Sequence, residues 1–261
     1  MRFYQAKKED TARSYPCAGE AWGIFGPEAL EASRAWLGEN LGKHYESFQA
    51  EDDAGNIVGE ILWAWSERSL GQLRTEPKVA IISCVWVKSA SRRRGIWRGM
   101  LGALAEKLRD QGAKGILVLA TDYEGYMHRS HFQKSGFKIL GDHDGTFVMF
   151  YPLSQETVEY WFTEERVPKG PGDKLTVHMF MNLLCPIAPE LFARTERIAR
   201  EFGDRIQVIK VESNPEALEK YGTARGLYLN GKPRFVLPRD DDAIRDLLKE
   251  EIDLNPDIIL D

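Results

Sequence analysis

Residues 78–113, KVAIISCVWVKSASRRRGIWRGMLGALAEKLRDQGA, constrain the fold more than any other stretch. The run VAIISCVWV is almost wholly apolar and predicts a strand covered on both faces. From Gly95 the period changes. Trp97, Leu101, Leu104 and Leu108 recur at helical spacing, and Gly112 supplies a left-handed stop. A strand, a basic glycine turn and a helix set the start of the helix at the end of the strand. Backbone N–H groups at that start are unpaired and lie at the positive end of the helix dipole. Arg92, Arg93 and Arg94 stand directly before Gly95. The turn therefore reads as an anion site, with a diphosphate as a fitting occupant.

The rest of the first half reads as mixed α/β. RFYQAKKED predicts a first strand running into a turn, and GPEALEASRAWLGENLG a helix with Pro27 in its first turn and Gly42 at its stop. YESFQAEDDAGNIVGEILWAWSE predicts two strands around the turn 53–56. In the second of them Ile57, Ile61, Trp63 and Trp65 share one face, and Val58, Leu62 and Ala64 the other. GILVLAT predicts another buried strand. DYEGYMHRSHFQKSG predicts a helix with Asp122 as its cap and Gly136 past its end. FKIL and TFVMFYPL, with GDHDG between them, predict a hairpin-like pair.

Residues 154–173 read as a linker, with PKGPG the strongest loop signal in the chain. A second alternation follows over 174–261. LTVHMFMN is a strand and APELFARTERIAREFG a helix ending at Gly203. RIQVIKVES is a strand, and NPEALEKYG a helix capped by Asn214 with Pro215 at its first position. GLYLNGKPRFVLP is a hairpin turning at Asn230-Gly231, and RDDDAIRDLLKEEID a last helix opened by acids. The order β-α-β-α-β-β-α describes a small domain of a size that folds alone.

Composition narrows the function classes. A net charge of −5 with a pI near 5.7 argues against a dedicated nucleic-acid binder. No apolar run approaches the roughly 20 residues of a membrane span, and no secretory signal is visible, so no membrane partner is expected. Three widely spaced cysteines without a C-x-x-C pair fit a reducing cytoplasm better than a disulfide framework. His128, His131 and His143 match no zinc spacing, so no metal is expected. There is no nucleoside-triphosphate P-loop and no dinucleotide glycine turn.

The segment VWVKSASRRRGIW resembles the GNAT acyltransferase turn [RQ]-x-x-G-x-[GA] after a strand ending V-x-V-x-P, at Val85, Val87, Arg92 and Gly95. HFQKSGFKILG resembles the same family's closing LYEKLGF-x-x-x-G at Gly136-Phe137. The resemblance covers 1–153 and implies the α/β (α+β) GNAT mixed sheet. It also implies that Val85, Trp86 and Val87 hold the pantetheine arm of acetyl-CoA, while Arg92, Arg93, Arg94, Gly95, Ile96, Trp97 and Arg98 cradle its diphosphate. Two departures stand out. Trp97 is bulky where relatives carry glycine or alanine, and Phe132 replaces the tyrosine that often protonates the leaving thiolate. The strand also lacks the carboxylate that often serves as base. Tyr126 and His131 are candidates to replace the missing acid. Trp63, Trp65 and Trp86 are candidates for an acceptor groove, with the amine entering between the first helical region and WAWSERSLGQLR.

The second half resembles the thioredoxin superfamily, with CPIA at a C-P-x-C position. Cys185 falls where a strand and short loop meet a helix, which lowers a thiol pKa. Ala188 stands where the resolving cysteine falls, and the usual proline ahead of the next strand is missing. A GNAT half followed by such a half resembles the YoaP-like acetyltransferases. The expectation is an acetyl-CoA-dependent N-acetyltransferase acting on a small-molecule or peptide amine, with a homodimer admitted. Two rivals from other classes are a non-catalytic acyl-CoA-binding regulator and a monothiol redox protein centred on Cys185.

Overall fold

The computed structural model describes residues 1–20, 24–143, 145–234 and 240–255. The chain divides into two compact units. Met1–Glu20, Leu37–Ser69 and Arg74–Trp161 form the first, and Ala21–Trp36, Leu70–Leu73 and Phe162–Asp261 the second. The chain thus passes between units more than once, whereas the sequence suggested a division only at 153 and 174.

The first unit is built on a seven-stranded sheet. Its strands are β1 (Arg2–Gln5), β2 (Glu46–Glu51), β3 (Ile57–Trp65), β5 (Val79–Val87), β6 (Gly115–Ala120), β7 (Lys138–His143) and β8 (Thr146–Pro152), in the order β1-β2-β3-β5-β6-β8-β7. Only β5 and β6 run parallel within it. Strand β4 (Leu73–Thr75) pairs separately with β9 (Tyr160–Phe162). The helices of the first unit are α2 (Ile96–Asp110) and the short α3 (Arg129–Gln133), while α1 (Pro27–Asn40) falls for the most part, up to Trp36, in the second unit.

Helix α2 buries Ile96, Met100, Leu101, Leu104, Ala105 and Leu108, the stripe its period requires. They meet Phe48, Ile61, Trp63, Ile82, Ile116 and Val118 on one face of the sheet. Each such large side chain contributes about 2 kcal/mol by leaving water. Gly59 lets the helix approach, since a Cβ there would lie 2.9 Å from Met100 Cε.

Three local expectations are corrected. Val58 joins the same core as Ile61 and Trp63, not the opposite face, because the β2–β3 register slips between Ala50 and Glu51. Strand β5 is fully buried only from Val79 to Ile82, and its second half is partly exposed. The helix expected from Asp122 begins only at Arg129, with His128 as the cap whose side chain accepts from Ser130 N–H. Gly125 at φ 111° and Met127 at φ 49° interrupt any helix before it. Thr121 Oγ1 closes that turn by accepting from Tyr123 N–H and donating to the Tyr126 carbonyl. Asp122 instead pairs with Arg129 at 2.5 Å.

The second unit holds a four-stranded sheet in the order β11-β10-β12-β13, from β10 (Leu175–Phe180), β11 (Ile206–Val211), β12 (Gly226–Leu229) and β13 (Lys232–Arg234). Its helices α4 (Ile187–Ala199), α5 (Pro215–Tyr221) and α6 (Asp241–Asp253) complete the expected element order. Asn214 and Asp240 cap α5 and α6 with their own side chains, and Asn230-Gly231 turns the hairpin in the left-handed region. The stretch read as linker is packed along part of its length. Arg166 N–H donates to Tyr221 O, Thr163 Oγ1 donates to Gly222 O, and Val167 joins Phe180 and Tyr228 in a small buried cluster.

Candidate active site

The site begins with a fault in the sheet. Strand β5 pairs with β6 only from Val79↔Gly115 to Ile82↔Val118. On its other side the partners run Leu62↔Cys84 and then Trp63↔Ile82, so Ser83 is the extra residue of a bulge. A bulge bends its strand, and beyond it β5 parts from β6. Over 84–87 no strand pairs with that edge among the described residues. Lys88 N–H donates to Val58 O across the β3 side. Alternation along the strand then directs the N–H and C=O groups of Val85 and Val87 to the free edge. Their side chains pack on the α2 core, whereas Trp86 is outside that cluster.

The chain next makes a short 3-10 turn over Ser89–Ser91 and reaches the arginines. Arg93 at φ 62° and Gly95 at φ 76° turn it into α2. Gly95 is the N-cap and no side chain satisfies the first amides of the helix. No heavy atom lies within 4 Å of a Cβ built on Gly95, so the space before it is open. Arg92 lies against the strand, with its Nε donating to Val87 O at 3.2 Å and its guanidinium carbon 5.4 Å from the Trp86 ring centre. One cavity of about 890 Å³ joins these parts. Val85, Trp86 and Val87 line it, as do Arg92, Arg93, Gly95, Ile96, Trp97 and Arg98. Its other wall comes from residues 124–132, including Tyr126 and His131.

Residues 8–137 match the model of the Acetyltransferase (GNAT) family. This part of the chain is a GNAT acetyltransferase domain. No curated protein matches the chain. Among solved structures, an acetyltransferase of the GNAT family from Desulfovibrio desulfuricans is 15% identical with a TM-score of 0.46, over 58% of this chain and 98% of that one. The PaiA N-acetyltransferase from Thermoplasma acidophilum, in complex with coenzyme A, is 17% identical with a TM-score of 0.41, over 58% of this chain and 99% of that one.

The GNAT domain brings most of the expected site residues to one place, with exceptions. Arg94 is exposed and does not line the cavity. Trp63 is buried in the α2 core and Trp65 packs against it, so of the three tryptophans proposed for an acceptor groove only Trp86 reaches the cavity. The stretch 63–74, expected to flank acceptor entry, contributes nothing to the lining. Cys185 belongs to the second unit.

Trp97 does not close the helix mouth. Its indole N–H donates to Ser135 Oγ at 2.7 Å, and its ring meets Phe132 edge-on at 5.7 Å. Phe132 is buried, lines the cavity and has no proton to give. His131, next in the chain, is exposed at its surface yet lines the cavity. Burial lowers its pKa from the ordinary 6.5, with the charges of His128, Lys134 and Arg92 acting in the same direction. It is neutral at pH 7. No group of three or more His, Cys, Asp or Glu able to hold a metal occurs among the described residues.

Cys185 runs against expectation. Its residue surface is exposed, yet protein atoms crowd the thiol, and that desolvation pushes its pKa above the ordinary 9.0 while the Ile187 backbone N–H pulls it down. Surface access decides what reaches the sulfur, but local density decides its charge. The thiol is therefore protonated at neutral pH.

Two carboxylates were missed. Glu60 is buried on β3 opposite Trp86 and accepts from Tyr15 N–H at 2.7 Å, Ser47 Oγ at 2.7 Å and Gln49 Nε2 at 3.1 Å. Its signal was available, as a lone acid inside the apolar run IVGEILWAW. Glu20 reaches the end of β5 from 66 residues away, accepting from Trp86 Nε1. No local pattern announces such a contact.

Proposed function

We propose that the first unit transfers an acetyl group from acetyl-CoA to the nitrogen of a small-molecule or peptide amine. One observation carries the reading: a single cavity joins the free backbone edge of β5 to the uncapped start of α2. The amides of a pantetheine arm fit the N–H and C=O groups of Val85 and Val87, as an added strand does. A diphosphate fits the first amides of α2 together with Arg93 and Arg98. Arg92, held on Val87 O and Trp86, shapes the turn between them.

The reaction needs little more than placement. The amine, as free base, attacks the thioester carbonyl carbon, the C–S bond breaks, and the thiolate leaves. An ammonium and a thioester thus become an amide, a thiol and one released proton. Positioning the two reactants supplies a large part of the acceleration. We assign His131, neutral at pH 7, to accept the proton from the amine, and Tyr126 as the nearby hydroxyl that can serve the departing sulfur. Both line the cavity, which favours catalysis over mere acyl-CoA binding.

For residues 174–261 we infer a thioredoxin-like accessory domain of the kind the YoaP-like resemblance implies. The β-α-β-α-β-β-α order and the parallel β10–β11 pair support it. The raised thiol pKa and Ala188 at the resolving position speak against a redox centre, and we give Cys185 no part in the transfer.

Calorimetry with acetyl-CoA tests the donor site. Two exposed charge-assisted contacts at about 1 kcal/mol each predict that Arg93→Ala with Arg98→Ala binds about 30-fold more weakly. Unchanged affinity would remove the basis of the assignment. Thiol release across a panel of amines then reads turnover.

A further inference from the structure

The end of β5 needs support that its own neighbourhood does not supply. β6 has left it, the last backbone bond to β3 is Lys88 N–H to Val58 O, and Lys88 offers no side-chain cap to the turn that follows. The support comes from Glu20. Its Oε2 accepts from Ser89 N–H at 2.9 Å, from Ser89 Oγ at 3.2 Å and from Trp86 Nε1 at 3.4 Å. Trp86 is in turn the surface on which Arg92 lies.

We propose that Glu20 is a positioning residue for the donor site, clipping Trp86 and Ser89 so that the free strand edge and the arginine turn keep one geometry. The inference rests on the acetyl-CoA reading above. Glu20 is ionised at neutral pH. Burial raises its pKa, but the Ser89 amide, the Trp86 indole, the Ser89 hydroxyl and the charge of Arg92 outweigh that and set it below the ordinary 4.5.

The clip has two opposed effects on an anionic donor. Its geometry helps binding, because it holds the turn. Its charge hinders binding, because it offsets part of the arginine field. All three donors converge on one oxygen, so a glutamine, with one carbonyl oxygen, preserves the clip and removes the charge. An alanine removes both.

Acetyl-CoA affinity is measured for Glu20→Gln and Glu20→Ala alongside the unaltered chain. Loss of a charge-assisted hydrogen bond predicts that Glu20→Ala binds about tenfold more weakly. Glu20→Gln is expected to bind as well as the unaltered chain, or up to about threefold more tightly. Tightening in both variants would show that Glu20 acts only through its charge, and wild-type affinity in Glu20→Ala would show that it does nothing; either overturns the proposal.

A donor-free readout separates this inference from the function it rests on. In protein labelled with 5-fluorotryptophan, the Trp86 resonance is assigned through Trp86→Phe. It should shift or broaden in Glu20→Ala and hold its place in Glu20→Gln. If the unaltered chain bound no acetyl-CoA, the function would fall while this spectrum still decided the clip. A Trp86 signal equally indifferent to both substitutions would overturn the clip.

Discussion

The central strands of the two sheets are built differently. Strand β10 is paired along Val177–Phe180 on both sides, to β11 and β12, with no slip in register. Strand β5 is paired on both sides only up to its bulge, after which one edge stands free. The helix starts repeat the contrast. Asn214 and Asp240 each accept from one amide in the first turn of α5 and α6, while no side chain caps α2. Satisfied backbone gives stability, and unsatisfied backbone gives a place for a ligand. In the first unit the open edge of β5 and the open start of α2 line one cavity.

Proline breaks or sharpens this contrast most directly, because it removes one N–H. Val177 is buried and has neighbours on both sides, so Val177→Pro should cost about 3 kcal/mol or more and unfold the second unit in a denaturant titration. Val85 directs its N–H to the free edge, and proline is tolerated at strand edges. Val85→Pro should therefore leave the unfolding midpoint nearly in place and weaken acetyl-CoA binding about tenfold. If Val85→Pro destabilised the chain as severely as Val177→Pro, the free edge would not be free.

How much of this was legible follows the same division. The strand, turn and helix of residues 79–110 were readable because an apolar run, a glycine and a change of period are all local. The second unit was readable because Asn214, Asn230-Gly231 and Asp240 carry turn and cap chemistry in their own neighbourhoods. The bulge at Ser83 was not, because it is a mismatch between two strands and exists only once they pair. Trp97 turns toward Ser135 and Phe132, a choice made by residues at least 35 positions away. The loop before α3 misled the reading because its residues accept a helix, while Thr121 ties both ends of a different turn.

Next in size is the chemistry of the cavity wall. His131→Ala should lower kcat about 100-fold with donor affinity preserved, which steady-state kinetics and calorimetry separate. The pH profile supplies the sign. A histidine acting as base works when neutral, and the pKa of His131 is displaced downward. The acid limb that belongs to this histidine should have its midpoint below the ordinary 6.5. Lys134 contributes to that displacement, so Lys134→Gln should move the acid limb upward. An acid limb unmoved by Lys134→Gln and still present in His131→Ala would transfer the role to another group, with Tyr126→Phe as the next variant to measure.

The smallest expected effect belongs to Cys185. Its place ahead of α4 invites a comparison with the anion turn ahead of α2, since both precede a helix without a side-chain cap. The surroundings of the two differ. Around Gly95 the space is open and arginines stand beside it, whereas the Cys185 thiol is crowded by protein and disfavours charge. Cys185→Ser should leave acetyl transfer unchanged, and alkylation of the unaltered chain should have its pH midpoint above 9.0, the ordinary thiol value. A thiol that reacted at neutral pH would mean that the Ile187 amide outweighs the desolvation, and a helix start in the second unit would then be chemically active after all.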